Sequence, residues 1–290
     1  MPATAEELLE LLDLETIDLN LFRGQQPNTQ MQRVFGGQVA AQALVAAART
    51  APPEVSVHSM HSYFLRPGDT AVPIIYDVDP VRNGTSFATR RVLARQHGRP
   101  IYALTASFHV EEQGFEHQDV MPDVPSPEEA FDVAEAMSAA GPERREEWLR
   151  EWSALDLRHA GDSGPGGALD GREHPAQVRY WIRVGDRLPD DMLVHRAALT
   201  YVSDMTLLGA TLVPHGLLPT SKEVQAASLD HTVWFHRPYR ADEWLLYDQV
   251  SPSAAGARGL AFGRLFTEDG RLVASVAQEG LIRPRPQPRA

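Results

Sequence analysis

Residues Ala197 to Leu212 read AALTYVSDMTLLGATL, with Leu199, Val202, Met205, Leu208 and Leu212 recurring at spacings of three and four. That rhythm puts them on one face of a helix. Asp204 stands in the middle of the run. A carboxylate taken out of water costs on the order of several kcal/mol unless something pairs with it, so an acid here has two readings. Either Ser203 or Asp204 N-caps a helix that begins at Met205, or Asp204 faces a pocket where its raised basicity is used.

Outward from this helix the chain repeats itself. Gly36 and Gly37 open GGQVAAQALVAAART, an Ala-rich helix whose small side chains suit close contact with a sheet. Four strand patterns follow, VSVHSMHSYFL, VPIIYDVDPV, SFATRRVLARQ and IYALTASFHV, with Asn83-Gly84 and His97-Gly98 as turn signals. After Leu212 the same succession returns as SLDHTVWFHRP, EWLLYDQV, ARGLAFGRLFTEDGR and LVASVAQEGLI. Each helix has an opening strand before it, Glu15 to Arg23 in the first half and Gln177 to Val184 in the second. Arg66 and Arg237 are 171 residues apart, and so are Ile101 and Leu272. Two segments at one offset indicate a duplicated unit of strand, helix and four strands, far longer than the roughly 20 to 50 residues of a solenoid repeat.

The units are expected at 1–110 and 175–290. Between them, 111–174 changes character and reads as a linker: PDVPSPEE and GDSGPGGALDGREHP are loop-like, and Glu128 to Leu155 holds one or two helices. GDSGPG at 161–166 is similar to the serine-protease nucleophile string, but the matching two-barrel pattern is absent. A short amphipathic helix at 4–12 and a polar loop, GQQPNTQMQR, complete the first unit. One long helix and about five antiparallel strands per unit make an α+β fold, with the helix covering the sheet's apolar face. Two such units can pair edge to edge, which hides strand edges, and the groove between them is the natural ligand site.

Composition removes several functions. With no cysteine there is no disulfide, thiolate metal site or Cys nucleophile. A net charge of -12 argues against a nucleic-acid partner, which needs a basic face. No apolar run reaches the roughly 18 to 20 residues of a membrane span, and the N-terminus is acidic and helical, unlike a signal peptide. The C-terminal PRPQPRA carries no peroxisomal address, so a cytoplasmic protein without membrane insertion is expected. No Walker loop, G-x-G-x-x-G after a strand, H-E-x-x-H or G-x-S-x-G occurs.

The strings VFGGQVAAQAL, VHSMHSYFLRPGD, PIIYDVDPVRNGTSFATRRV, YVSDMTLL, ASLDHTVWFHRP and VASVAQEGLIR closely resemble the acyl-CoA thioesterase II family. The resemblance covers both halves and implies a double hot-dog fold, each repeat a central helix wrapped by an antiparallel sheet. It implies hydrolysis of acyl-CoA to free fatty acid and CoA with no metal or other cofactor, by a homo-oligomer, dimer or tetramer, of double hot-dogs. The family's functional Asp, hydroxyl and Gln fall on Asp204, Ser228 and Gln278.

The residues by themselves agree with that chemistry. Thioester hydrolysis needs a water made nucleophilic, and a carboxylate within about 2.6 to 3.2 Å can take its proton. A hydroxyl and an amide can hold that water in the attacking orientation. Taken singly, Gln278 reads equally as a hydrogen-bonded core polar group and Ser228 as a strand-start serine. The oxyanion donors expected are a backbone N–H at a helix start and the Gln278 amide. Whether Asp204 acts on water or attacks the thioester itself stays open.

By the repeat offset Gln278 lies opposite Ser107, Ser228 opposite His58, and Asp204 near Gly37, so the first half has no acid. One acid site per chain follows, with the first half supplying wall, tunnel and CoA contacts. His58 takes the place of the catalytic hydroxyl and is expected to line the groove as a substrate-binding residue. His58 and His61 are three apart, face opposite sides of a strand and cannot share a metal. His61 and His231 match between repeats, which favours a structural hydrogen-bonding role. CoA's phosphates call for local cations; Arg82, Arg90, Arg91 and Arg95 are the candidates, with solvated strand charges as the other reading. Two other functions fit a hot-dog chain. One is an enoyl-CoA hydratase or dehydratase, whose acid is usually paired with a histidine, and the other a non-catalytic acyl-CoA-binding module.

Overall fold

The computed structural model describes residues 1–139, 142–161 and 175–285. Helix α1 (Ala5–Leu12) is capped by the Thr4 side chain, which accepts from the Glu7 N–H. The single strand expected at 15–23 is a hairpin, β1 (Glu15–Asp18) and β2 (Leu21–Gly24), because Asn20 turns the chain with φ of 60°. Helix α2 (Gly36–Arg49) is followed by β3 (Val55–Phe64), β4 (Ile74–Asn83), β5 (Phe87–Gln96) and β6 (Arg99–Val110). The stretch expected as linker holds two helices, α3 (Val133–Ala139) and α4 (Pro142–Trp152). It also holds two short strands, β7 (Phe131–Asp132) and β8 (Leu155–His159), and β8 pairs with β9 (Gln177–Val184). Of GDSGPG, all but Gly161 lies outside the described residues.

The second half continues with α5 (Met192–Thr206), two 3₁₀ turns at 207–211 and 213–215, and β10 (Val224–Ser228). It closes with β11 (Asp230–Phe235), β12 (Leu245–Ala255), β13 (Arg258–Thr267) and β14 (Leu272–Pro284). Helix α5 begins five residues earlier than its apolar rhythm predicts, because Asp191 caps it by accepting from the Leu193 N–H at 2.9 Å. It loses α geometry after Thr206. Asp204 therefore lies inside the last turn of a capped helix, and the capping reading of Asp204 is overturned.

The described strands form one sheet in the order β1-β2-β4-β5-β6-β3-β11-β14-β13-β12-β9-β8-β7, with β10 on β14. The halves join where β3 pairs antiparallel with β11, His61 opposite Thr232. These two residues are themselves 171 apart, so the local two-fold of the duplication passes through their pair. Both helices lie on one face of the sheet and pack on each other. Gln38 through Ala47 of α2 are all buried, which is why that helix is built mostly of Ala, and its two polar side chains, Gln38 and Gln42, are hydrogen-bonded to Gln26 and to the Leu11 carbonyl. The result is the double hot-dog. Among the described residues no helix is long and apolar enough to cross a membrane.

Candidate active site

Asp204 is 9% exposed. Its Oδ1 accepts from Ser228 Oγ at 2.9 Å and from Gln278 Nε2 at 2.5 Å. Both donors come from one ladder: Ser228 ends β10 opposite Gly280 of β14, two residues beyond Gln278. A Cβ at Gly280 would fall 2.3 Å from Leu208 Cδ1, so the glycine leaves room for the Leu208 side chain of the turn after α5 to pack on the strand.

The third donor crosses from the first repeat, for the Gly37 backbone N–H points at the same carboxylate. A Cβ on Gly36 would sit 2.5 Å from Asp204 Oδ2, and one on Gly37 only 2.1 Å from the Tyr201 carbonyl oxygen. Only glycines let the start of α2 approach the end of α5 this closely. Phe35, at the N-cap of α2, makes no side-chain cap, so the positive end of that helix is met by the Asp204 carboxylate through the Gly37 N–H.

Burial pushes the Asp204 carboxyl up from 3.8 to about 6, against the lowering effect of Gln278, Ser228 and the Gly37 N–H. The group is thus ionised at neutral pH yet a better base than a solvated aspartate. Gln278 is completely buried; its Nε2 also lies 3.2 Å from His231 Nδ1, and its Oε1 has no partner. A cavity of 330 Å³ opens on Asp204 between Gly36, Val39, Phe64, Tyr102 and Ser228. A second of 510 Å³ meets it on the side of Met31, Met205, Leu208 and Pro219. Arg33 borders both and Arg66 the first.

The structure thus brings Asp204, Ser228 and Gln278 together and leaves the other candidates outside. A β-bulge between Val57 and Ser59 breaks the alternation of β3. His58 consequently turns to the exposed side, with Nε2 2.9 Å from Ser107 Oγ and its ring beside Phe87 and His109. It does not line the cavity at Asp204. Arg90 is 1% exposed, and its guanidinium donates to the carbonyls of Thr50, Arg82 and Thr89 and to Asn83 Oδ1. It closes the C-terminal end of α2 and has nothing left for a phosphate. Arg91 is exposed and paired with Asp79 at 2.7 Å. Neither Arg82 nor Arg95 reaches either cavity.

Four repeat alignments shift as well: the local two-fold sets His61 against Thr232 and not His231, and Ser228, opposite Gly280 as Val57 is opposite Phe108, falls against Val57 and not His58. His61 pairs with Thr105 while Thr232 pairs with Ala277, which makes buried Ala106 the counterpart of Gln278 in place of Ser107. Gly37 touches Asp204 across the duplication; it is not its equivalent, since one starts its helix and the other ends its own. The residues missed at the site are Arg33, Arg66, the Gly36-Gly37 backbone and His231. Arg66 stood in the sequence as a repeat marker, and the glycine pair as a helix opening. Among the described residues no three His, Asp or Glu side chains are grouped as metal ligands would be.

The chain is similar to known proteins over most of its length. Residues 159–281 match the family model described as acyl-CoA thioesterase, and residues 25–109 the one described as acyl-CoA thioesterase N-terminal domain. Acyl-CoA thioesterase 2 of Haemophilus influenzae is 40% identical over 279 residues, covering 95% of this chain and 96% of its own. Acyl-coenzyme A thioesterase 8 of Homo sapiens is 40% identical over 290 residues, 96% of this chain and 89% of its own. A crystal structure of an acyl-CoA thioesterase II from Mycobacterium marinum superposes with a TM-score of 0.80 at 45% identity, covering 95% of this chain and 98% of that one.

Proposed function

Since the chain belongs to the acyl-CoA thioesterase family, we propose that it hydrolyses acyl-CoA thioesters at one site per chain, with Asp204 as the base that activates water. The observation that carries the proposal is the buried carboxylate held by three donors from both repeats, open to a cavity on its far side. The ionised carboxylate takes a proton as the water oxygen bonds to the thioester carbonyl carbon, and the charge moves to the carbonyl oxygen. The uncapped first turn of α2 faces the same cavity and is placed to steady that oxyanion. Collapse then breaks the C–S bond, the proton passes from Asp204 to the leaving thiolate, and fatty acid and CoA depart.

Ser228 and Gln278 fix the carboxylate and order the water around it. Arg33 and Arg66 at the cavity mouth suit the CoA phosphates, in place of the hairpin arginines. In this reading 1–110 and 175–290 act as two hot-dog units joined by 111–174, and the chain works in the cytoplasm as a homo-oligomer. A single turnover in H₂¹⁸O, with enzyme in excess over acyl-CoA, tests the role of Asp204. Direct attack by water places ¹⁸O in the fatty acid and none in the peptide that contains Asp204. Label in that peptide would mean that the carboxylate itself had attacked the thioester.

A further inference from the structure

The buried histidine behind the site has no part in the steps above. His231 is 0% exposed, and both ring nitrogens lie within hydrogen-bond distance of a partner. Its Nε2 lies 2.7 Å from Ser203 Oγ, and its Nδ1 lies 3.2 Å from Gln278 Nε2. Ser203 Oγ also lies 3.0 Å from the Thr200 carbonyl, to which it can donate while accepting from the ring. With an N–H of Gln278 directed at Nδ1, the consistent assignment puts the ring proton on Nε2 and leaves Nδ1 an acceptor. The main chain is pinned from the other repeat, where Ser62 Oγ donates to the His231 carbonyl at 2.6 Å.

A glutamine amide can sit either way round, and the two ends have opposite hydrogen-bonding character. Here one N–H of Gln278 goes to Asp204 and the other to His231, which leaves Oε1 buried and unpartnered. With the amide reversed, Oε1 would face both the carboxylate and the bare Nδ1, two repulsive contacts.

Resting on the assignment of Gln278 to the reaction, we infer that His231 is a positioning residue: its Nε2–H tautomer locks the Gln278 amide with nitrogen toward Asp204, so that the amide holds the carboxylate in place. Burial pushes the His231 ring down to about 3, so the acceptor persists across the working pH range. The chain Thr200, Ser203, His231, Gln278, Asp204 runs from the body of α5 through β11 and β14 and back to the end of α5. Rigid support of this kind holds a reacting group in its productive geometry.

Two conservative variants separate the two ring nitrogens. Asparagine keeps an acceptor near Nδ1, and glutamine keeps a donor near Nε2 without the acceptor. His231→Gln should lower kcat about ten- to a hundredfold, the scale of one hydrogen bond to a charged group, with KM little changed and the acid limb of the pH profile moved upward. His231→Asn should recover most of that loss. In a Gln278→Ala background His231→Gln should cost nothing further, since it acts only through the amide. Equal activity of the Asn and Gln variants, or full additivity with Gln278→Ala, would overturn the inference while leaving the role of Gln278 intact. A Gln278→Ala enzyme at the unsubstituted rate would instead remove the reading on which it rests. Nitrogen NMR of the unsubstituted protein gives an answer that depends on no variant: an Nε2–H imidazole is expected for His231, and an Nδ1–H imidazole contradicts it.

Discussion

Asp204 should make the folded protein less stable as pH rises, and replacing it should remove that dependence. Its carboxyl is raised from 3.8 to about 6 by burial. Between those values the folded chain keeps a proton that the unfolded chain has already lost, so stability falls with rising pH. Complete by pH 7, the loss amounts to roughly 3 kcal/mol at about 1.4 kcal/mol per pH unit. At 9% exposure there is little solvent screening to discount. In Asp204→Asn the titration is gone. Changed contacts in the variant, such as an amide facing the Gly37 N–H, add a constant that does not vary with pH. The difference in melting temperature between the two proteins should therefore change by roughly 4 °C from pH 4 to pH 8, at ~2 cal/mol/K of unfolding entropy per residue. The assay is thermal unfolding of both at a series of pH values. Parallel curves would refute the reasoning, because they would mean that Asp204 titrates alike in the folded and unfolded chains.

Three further outcomes follow from the same geometry. The kcat/KM profile should fall with unit slope below about pH 6, where Asp204 takes up its proton; a profile flat to pH 4.5 contradicts this. Gly36→Ala should cut kcat at least roughly tenfold, on the scale of a catalytic geometry disturbed by about an ångström. Its new Cβ falls 2.5 Å from Asp204 Oδ2 and 2.7 Å from the Phe64 ring, and circular dichroism should show the fold intact. Arg33→Ala and Arg66→Ala should each raise KM for acyl-CoA by about three- to tenfold, a loss of roughly 1 kcal/mol. The effect should shrink with salt and vanish for acyl-pantetheine, which lacks the nucleotide phosphates, whereas Arg91→Ala should leave KM unchanged.

Much of the architecture was legible because its signals are periodic and duplicated. The offset between Arg66 and Arg237 is the same offset that places His61 opposite Thr232 on the local two-fold. Asp204 drew notice as an acid in an apolar face, and the resemblance brought Ser228 and Gln278 to it. What failed depended on local geometry that periodicity does not carry. The bulge beside Val57 turned His58 to the exposed side, and no strand rhythm announces a bulge. Arg90 looked like a phosphate ligand because its sequence neighbours are charged. In the fold it closes α2 through Thr50, forty residues away. The Gly36-Gly37 pair was read as a helix opening, and only the packing of α2 on α5 makes its backbone part of the site.

Thiol release from acyl-CoA by Asp204→Asn, followed with a thiol reagent beside the unsubstituted enzyme, bears most directly on the central claim. Losing a general base is expected to lower kcat by about 10² to 10⁴-fold, while the folded protein still binds acyl-CoA. Turnover within a few-fold of the unsubstituted rate would contradict it.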